Sequence, residues 1–422
     1  MVFSSVTFLF RFLPIAFLVY FITPKKFKNF TLIILSLFFY SWGEVKYFPI
    51  MIASIFVDYT VSQGIEHNRK NKNLCKLFLI ISMVFNLGML FFFKYTNFFI
   101  ENINGILGTS IEGIQLALPL GISFYTFQTM SYTIDVYRNK VKAESNIIDF
   151  GAFVVLFPQL IAGPIVKYVD INKELKGRKV CFSQIQDGIY TFLVGLASKT
   201  LIANNVGALW TEVESMGFAN LSTPLAWLGI LAFSLQIYFD FGGYSLMAIG
   251  LGKMLGFHFP KNFDFPYISR SFTEFWRRWH MTLGSWFREY LYIPLGGNRC
   301  SPARQYFNIF IVWLATGFWH GASWNFIFWG LTFFVLLVIE KAFLLKYLEK
   351  NRILSHIYVI VGLLLSWALF AITDFSNLQI FFGKLFSFTA GTDWVYFLRN
   401  YGVVLVLGIF FSTPALKKIA EK

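Results

Sequence analysis

Charge is what this chain has least of. Charged residues make up 14% of its 422 positions, against 56% hydrophobic and 20% aromatic ones. A soluble globular chain carries about 25% charged residues, so a water-soluble domain of this length is excluded. The three cysteines, Cys75, Cys181 and Cys300, are scattered with no CxxC pair, and no disulfide framework is legible. There is no GxxxxGK[ST] to cradle the phosphates of an ATP-driven pump and no GxSxG nucleophile elbow. Two candidate histidines without a third ligand argue against a zinc site, which wants at least three protein ligands, so no metal is expected.

What is present is a series of apolar runs, many near the bilayer-spanning length of about 20 residues. They are apolar all round, unlike the short alternating segments of a membrane β-barrel, and predict an all-α polytopic membrane protein. Residues Val2–Ile22 lack a basic n-region and a small-residue cleavage site, and read as a retained first helix. Further runs cover about Phe30–Trp42, Tyr47–Val61, Leu77–Phe93, Leu116–Tyr137, Ile185–Val206, Pro224–Phe239, Phe310–Phe318, Leu354–Ile372 and Tyr401–Phe411. That makes roughly ten to twelve hydrophobic elements in a single domain over residues 1–422, not all of them full spans.

The net charge of +14 comes from Lys and Arg gathered in short gaps between these runs. Lys25–Lys28, Arg69–Lys76, Arg138–Lys142, Lys167–Lys179, Lys346–Arg352 and Lys417–Lys422 are basic, whereas Asn97–Gln115 and Thr211–Thr223 carry acids and no base. This is the positive-inside pattern, not a nucleic-acid surface. It predicts an extracytoplasmic N-terminus and a cytoplasmic C-terminus. Asn146–Val166 is apolar but interrupted by Pro158, Gly163 and Pro164, with basic stretches on both sides. A re-entrant or broken helix fits, and such backbone survives at membrane depth only inside protein or along a wet cavity. That points to an internal site open to the cytoplasm.

Gly250, Gly252 and Gly256 are not spaced as GxGxxG and read as packing or kink positions in a helix. Asp58, Asp135 and Asp240 lie in or near apolar runs, where pairing with a buried Arg or capping a broken helix is the expected role. His67, His258 and His356 flank basic loops or helix ends. His320 is different: it ends one apolar helix pattern and begins another, and an imidazole at membrane depth is a candidate general base. His280 sits among Trp276, Arg277, Arg278, Trp279, Trp286 and Arg288. Such a segment reads either as an interfacial helix or as a cationic pocket for an anionic donor, because Arg pairs bidentately with phosphate.

Several pieces are then familiar in combination: Pro119–Gln128, Phe157–Pro164, Tyr238–Ser245, Phe275–Trp286, Tyr292–Asn298 and Gly317–Gly321. In this order they resemble the membrane-bound O-acyltransferase family, and within it the bacterial alginate O-acetylation branch. The resemblance implies a helical bundle around a tunnel joining a cytoplasmic donor mouth to an extracytoplasmic acceptor mouth. It implies that His320 is the catalytic histidine and His280 the second characteristic position, orienting the thioester or hydrogen-bonding its oxyanion. The donor implied is acetyl-coenzyme A and the setting a bacterial plasma membrane. The acceptor implied is an extracellular polysaccharide, reached beside its synthesis machinery through a separate SGNH-type acetyltransferase. Assigning Arg277, Arg278 and Arg288 to coenzyme A phosphates is a charge argument and not part of the resemblance. Relatives commonly continue past the position of Lys422 with another apolar pass. The alternatives are a teichoic acid D-alanyl transferase fed by a carrier-protein thioester, a secondary transporter, for which no paired repeat is visible, and a non-catalytic export scaffold.

Overall fold

The computed structural model describes residues 2–161 and 163–415. Ala162, within the expected break, and the basic run Lys417–Lys422 lie outside the described residues. Every regular element is helical and no strand occurs among the described residues. Seven helices are long and apolar enough to cross a membrane: Phe48–His67, Lys72–Leu107, Phe182–Ser215, Thr223–Leu255, Trp324–Leu348, Arg352–Ala371 and Asp393–Phe411. Phe8–Ile22, Lys28–Glu44, Ile122–Tyr137 and Pro302–His320 supply further hydrophobic elements. The chain is a multi-pass helical membrane protein.

Apolar runs mark the helices, but caps set where they stop. Asn71 accepts from the backbone N–H of Leu74 and starts a 36-residue helix that closes at left-handed Gly108. At 1.5 Å per residue this helix is about 54 Å long, so it overruns the segment expected as a loop from Asn97. The remainder of that segment folds back on it: Asn97 and Asn104 bond the backbone of Ile114 and Ile111. Likewise Phe182–Ser215 runs on through Thr211, since nothing breaks it before Gly217, at φ +76°. Asn351 and Asp374 cap Arg352–Ala371 and Phe375–Phe386 in the same way.

The chain forms two compact units: residues 1–193 with 245–260, and residues 194–244 with 261–422. In the first, the opening helix is core and not an appendage: Phe3, Phe8 and Phe12 are buried, and the Tyr20 hydroxyl donates to the Leu255 carbonyl at 2.8 Å. The Asn146–Val166 segment is broken as expected, into Ile147–Val155 and Phe157–Leu160, and from Phe150 onward its described residues are buried except half-buried Ile161. Gln159 donates to the Phe153 carbonyl freed at the break. A Cβ on Gly250 would sit 2.6 Å from the Gly188 carbonyl oxygen, so its place in Thr223–Leu255 is a close-packing one. Gly252 abuts Phe259, and Gly256 ends the helix at φ +88°.

Each of the three intramembrane aspartates has a partner other than the expected arginine. Asp58 accepts from Ser82, Asn86 and Thr133, and Asp240 pairs with Lys199. Asp135 pairs with Lys140. In the second unit the core is aromatic, with Trp279, Trp313, Trp329, Trp367, Phe272 and Phe275 fully or nearly buried. The candidate site is built on it.

Candidate active site

The stretch read as one interfacial helix is interrupted. Ser271 caps Phe272–Arg278, a second helix runs Met281–Phe287, and His280 stands between them at φ +42°. A left-handed non-glycine residue costs about 1–3 kcal/mol and is held only where its surroundings over-determine it. Here the surroundings are Phe241, edge-on at 4.7 Å between ring centroids, Phe263 at 6.4 Å and Trp319 at 5.8 Å. Trp279 and Trp286 are buried too. The tryptophans therefore face inward, and the amphipathic surface-helix reading does not hold.

Asn262 fixes the chemistry of His280. Its Oδ1 accepts from the backbone N–H of Thr282 at 3.2 Å and the Thr282 hydroxyl at 2.9 Å, which sets the orientation of the amide. The same oxygen faces His280 Nδ1 at 3.1 Å, so Nδ1 carries the proton and donates. His280 lies outside the seven candidate spans; its burial, reinforced by nearby His320, pushes the imidazole well below its ordinary value and keeps it uncharged. A neutral ring with its proton on Nδ1 leaves Nε2 a lone pair only. That Nε2 is buried with no hydrogen-bond partner among the described residues. His280 is thus set to accept a hydrogen bond; the oxyanion-donor role would require the other tautomer, which Asn262 disfavours.

His320 ends the helix Pro302–His320 and is half-buried. Its ring packs edge-on against Trp319 at 5.0 Å, Trp329 at 4.9 Å and Phe370 at 5.3 Å. Trp319 therefore touches both imidazoles and bridges the two candidate histidines.

A cavity of about 670 Å³ opens beside them, lined by Trp276, Arg277, His280, Arg288, Thr316 and Lys341 among others. That volume suits a small-molecule site. His320 lies one turn beyond Thr316 on the same helix, without itself lining the cavity. Arg277 and Arg288 line it. Arg278 does not: it binds Glu274 through Nε at 2.9 Å and Asp264 through Nη1 at 3.3 Å. Adjacent helical residues point about 100° apart, so 277 and 278 cannot share one face. Among the described residues no cluster of three His, Cys, Asp or Glu is set to hold a metal ion.

Glu340 was not singled out from sequence. Fully buried near the end of Trp324–Leu348, its carboxylate accepts from the backbone N–H groups of Phe272 and Thr273 at 2.6 and 2.9 Å and from the Thr273 hydroxyl at 2.7 Å. It thereby anchors the positive end of the helix that carries Arg277. Its signal was a carboxylate inside an apolar run. Glu340→Ala strands these donors and should lower stability by about 2–4 kcal/mol, with Glu340→Gln losing less. Thermal unfolding of the detergent-solubilised protein checks this; equal midpoints for wild type and Glu340→Ala would contradict it.

Comparison with known proteins bears on this site. The profile of the membrane-bound O-acyltransferase family matches residues 31–355. A probable alginate O-acetylase of Azotobacter vinelandii is 38% identical over 399 residues, covering 93% of this chain and 79% of that protein. A peptidoglycan O-acetyltransferase of Helicobacter pylori is 38% identical over 378 residues, covering 81% and 71%. A teichoic acid D-alanyltransferase of Streptococcus thermophilus is 30% identical over 265 residues, covering 58% and 62%.

Proposed function

The chain belongs to the membrane-bound O-acyltransferase family and is an O-acyltransferase, and from that premise we propose that it transfers acetyl from cytoplasmic acetyl-coenzyme A for O-acetylation of an extracellular polysaccharide. Supporting the acetyl reading are relatives named for alginate and peptidoglycan O-acetylation, matched over most of the chain. Supporting it further, no Asp or Glu among the described residues lines the cavity. A D-alanyl group would bring an ammonium into a site with Arg277, Arg288 and Lys341 and nothing to pair it.

The observation that carries the reading is the buried, neutral His280 beside His320, against a cavity edged by cations. His320 takes the proton of the attacking hydroxyl as general base. The oxygen bonds to the thioester carbonyl carbon, the C–S bond breaks, and the thiolate leaves, recovering the proton from the imidazolium. His280, able only to accept through Nε2, orients a hydrogen-bond donor of the bound substrate. Arg277 and Arg288 pair with donor phosphates. The cavity mouth opens to the cytoplasm, because Leu345 on its wall adjoins basic Lys346–Arg352. On the same argument the N-terminus lies outside. Acetyl then passes to the polymer, beside its synthesis machinery, through an SGNH-type acetyltransferase.

Deleting the gene and measuring base-labile acetate and alanine on wall and matrix polymers tests this. Loss of ester acetate with alanine unchanged is expected. Loss of alanine with acetate retained would replace this reading by the D-alanyl one.

A further inference from the structure

We infer that Lys341 completes, with Arg277 and Arg288, a cationic rim that binds the phosphate end of a small diffusible thioester in preference to the prosthetic arm of a carrier protein. The inference rests on the acyl-donor reading above and concerns how that donor is chosen.

Arg277, Arg288 and Lys341 reach one cavity from three separate segments: the helices Phe272–Arg278 and Trp324–Leu348, and the π-helical segment Arg288–Tyr292 that follows Phe287. Among the described residues the rest of the cavity wall carries no charged side chain, His280 being neutral. None of the three cations makes an ion pair with the described residues, and all are exposed. Arg278, turned away from the cavity, is by contrast held by two carboxylates. The sorting follows position: the cation outside the cavity is neutralised and those around it are left unneutralised.

The carboxylate nearest in sequence to Lys341 could have quenched it. Instead Glu340 is committed to Phe272 and Thr273, the first turn of the helix bearing Arg277. One residue pair therefore does two things. Glu340 fixes the spacing of the two helices, and Lys341 presents its ammonium at that spacing.

Charge then discriminates between donors. Three cations on an apolar cavity repel one another until an anion arrives, and the best match brings a comparable number of negative charges. A coenzyme-type thioester, with a diphosphate and a sugar monophosphate, brings roughly three to four. A phosphopantetheine arm on a protein brings the single charge of a phosphodiester and must also dock its carrier. The rim suits the former.

The test is equilibrium binding to the full chain in detergent, with coenzyme A, 4′-phosphopantetheine and pantetheine as probes. Wild type should bind them in that order of affinity, with a salt-dependent gap of about tenfold or more between the first and last. Lys341→Gln should weaken coenzyme A about tenfold and leave pantetheine unchanged, and Lys341→Arg should restore most of the loss. Unaltered coenzyme A affinity in Lys341→Gln, or an equal loss for all three probes, overturns the rim while leaving the donor reading intact. Wild-type protein that binds none of the three overturns both.

Discussion

Replacing His320 by alanine is expected to lower acyl transfer by about 10²–10⁴-fold and to leave the protein folded in the membrane. The imidazole is half-buried and meets Trp319, Trp329 and Phe370 through ring edges, so its loss removes packing at the rim of an aromatic cluster that has many other contacts. The thermal midpoint should therefore move little while turnover collapses. Purified wild type and His320→Ala, assayed for thiol release from acetyl-coenzyme A with acceptor present, give the rate; the same samples give the midpoint. A scaffold that only holds an export complex together makes the opposite forecast, with transfer intact in His320→Ala. That result would falsify the catalytic assignment.

An equally large effect is expected from a change that touches no ionisable group. Pro302–His320 and Trp324–Leu348 form a hairpin pressed backbone to backbone at two glycines. A Cβ on Gly317 would lie 2.5 Å from the Phe326 carbonyl oxygen, and one on Gly330 would lie 2.4 Å from the Trp313 carbonyl oxygen. Neither neighbour is the end of a flexible side chain, so the helices themselves must part. Small residues permit such approach between membrane helices, and even alanine exceeds the space available. Gly317→Ala should cost about 1–3 kcal/mol from overpacking. It should cost far more in rate, because His320 lies one turn on and a displacement of about 1 Å can cost 10²-fold. Thermal unfolding and turnover of the same preparation check both halves. Wild-type values in Gly317→Ala would show that the hairpin is looser than described.

The expectation of ten to twelve helical elements came from apolar runs, and those runs did locate the helices. Their ends were misjudged where polar residues continue a helix: Asn97, Asn102 and Asn104 read as loop, yet they sit on the last turns of Lys72–Leu107, where Asn102 bonds back to the Phe98 carbonyl and Asn97 and Asn104 hold the segment that folds back on the helix. Pro158 and Gly163 announced the break in Asn146–Val166 because proline and glycine act locally. No comparable residue marks the break at His280. Trp276 to Trp286 keeps a plausible helical face, and only the long-range clasp of Asn262, eighteen positions earlier, reveals why the backbone turns there. Arg278 looked equivalent to Arg277 for the same reason, since composition cannot say which neighbour faces Glu274 and Asp264. Lys341 was hidden by its place at the end of an apolar run, where a lysine is ordinarily a boundary marker.

A structure of the chain with a non-hydrolysable acetyl-coenzyme A analogue bears most directly on the account. The analogue's phosphates should contact Arg277, Arg288 and Lys341, and its acyl carbonyl carbon should come within about 4 Å of an imidazole nitrogen of His320 or His280. An analogue seated with its acyl group remote from both rings, or histidines separated by an intervening wall, would contradict it.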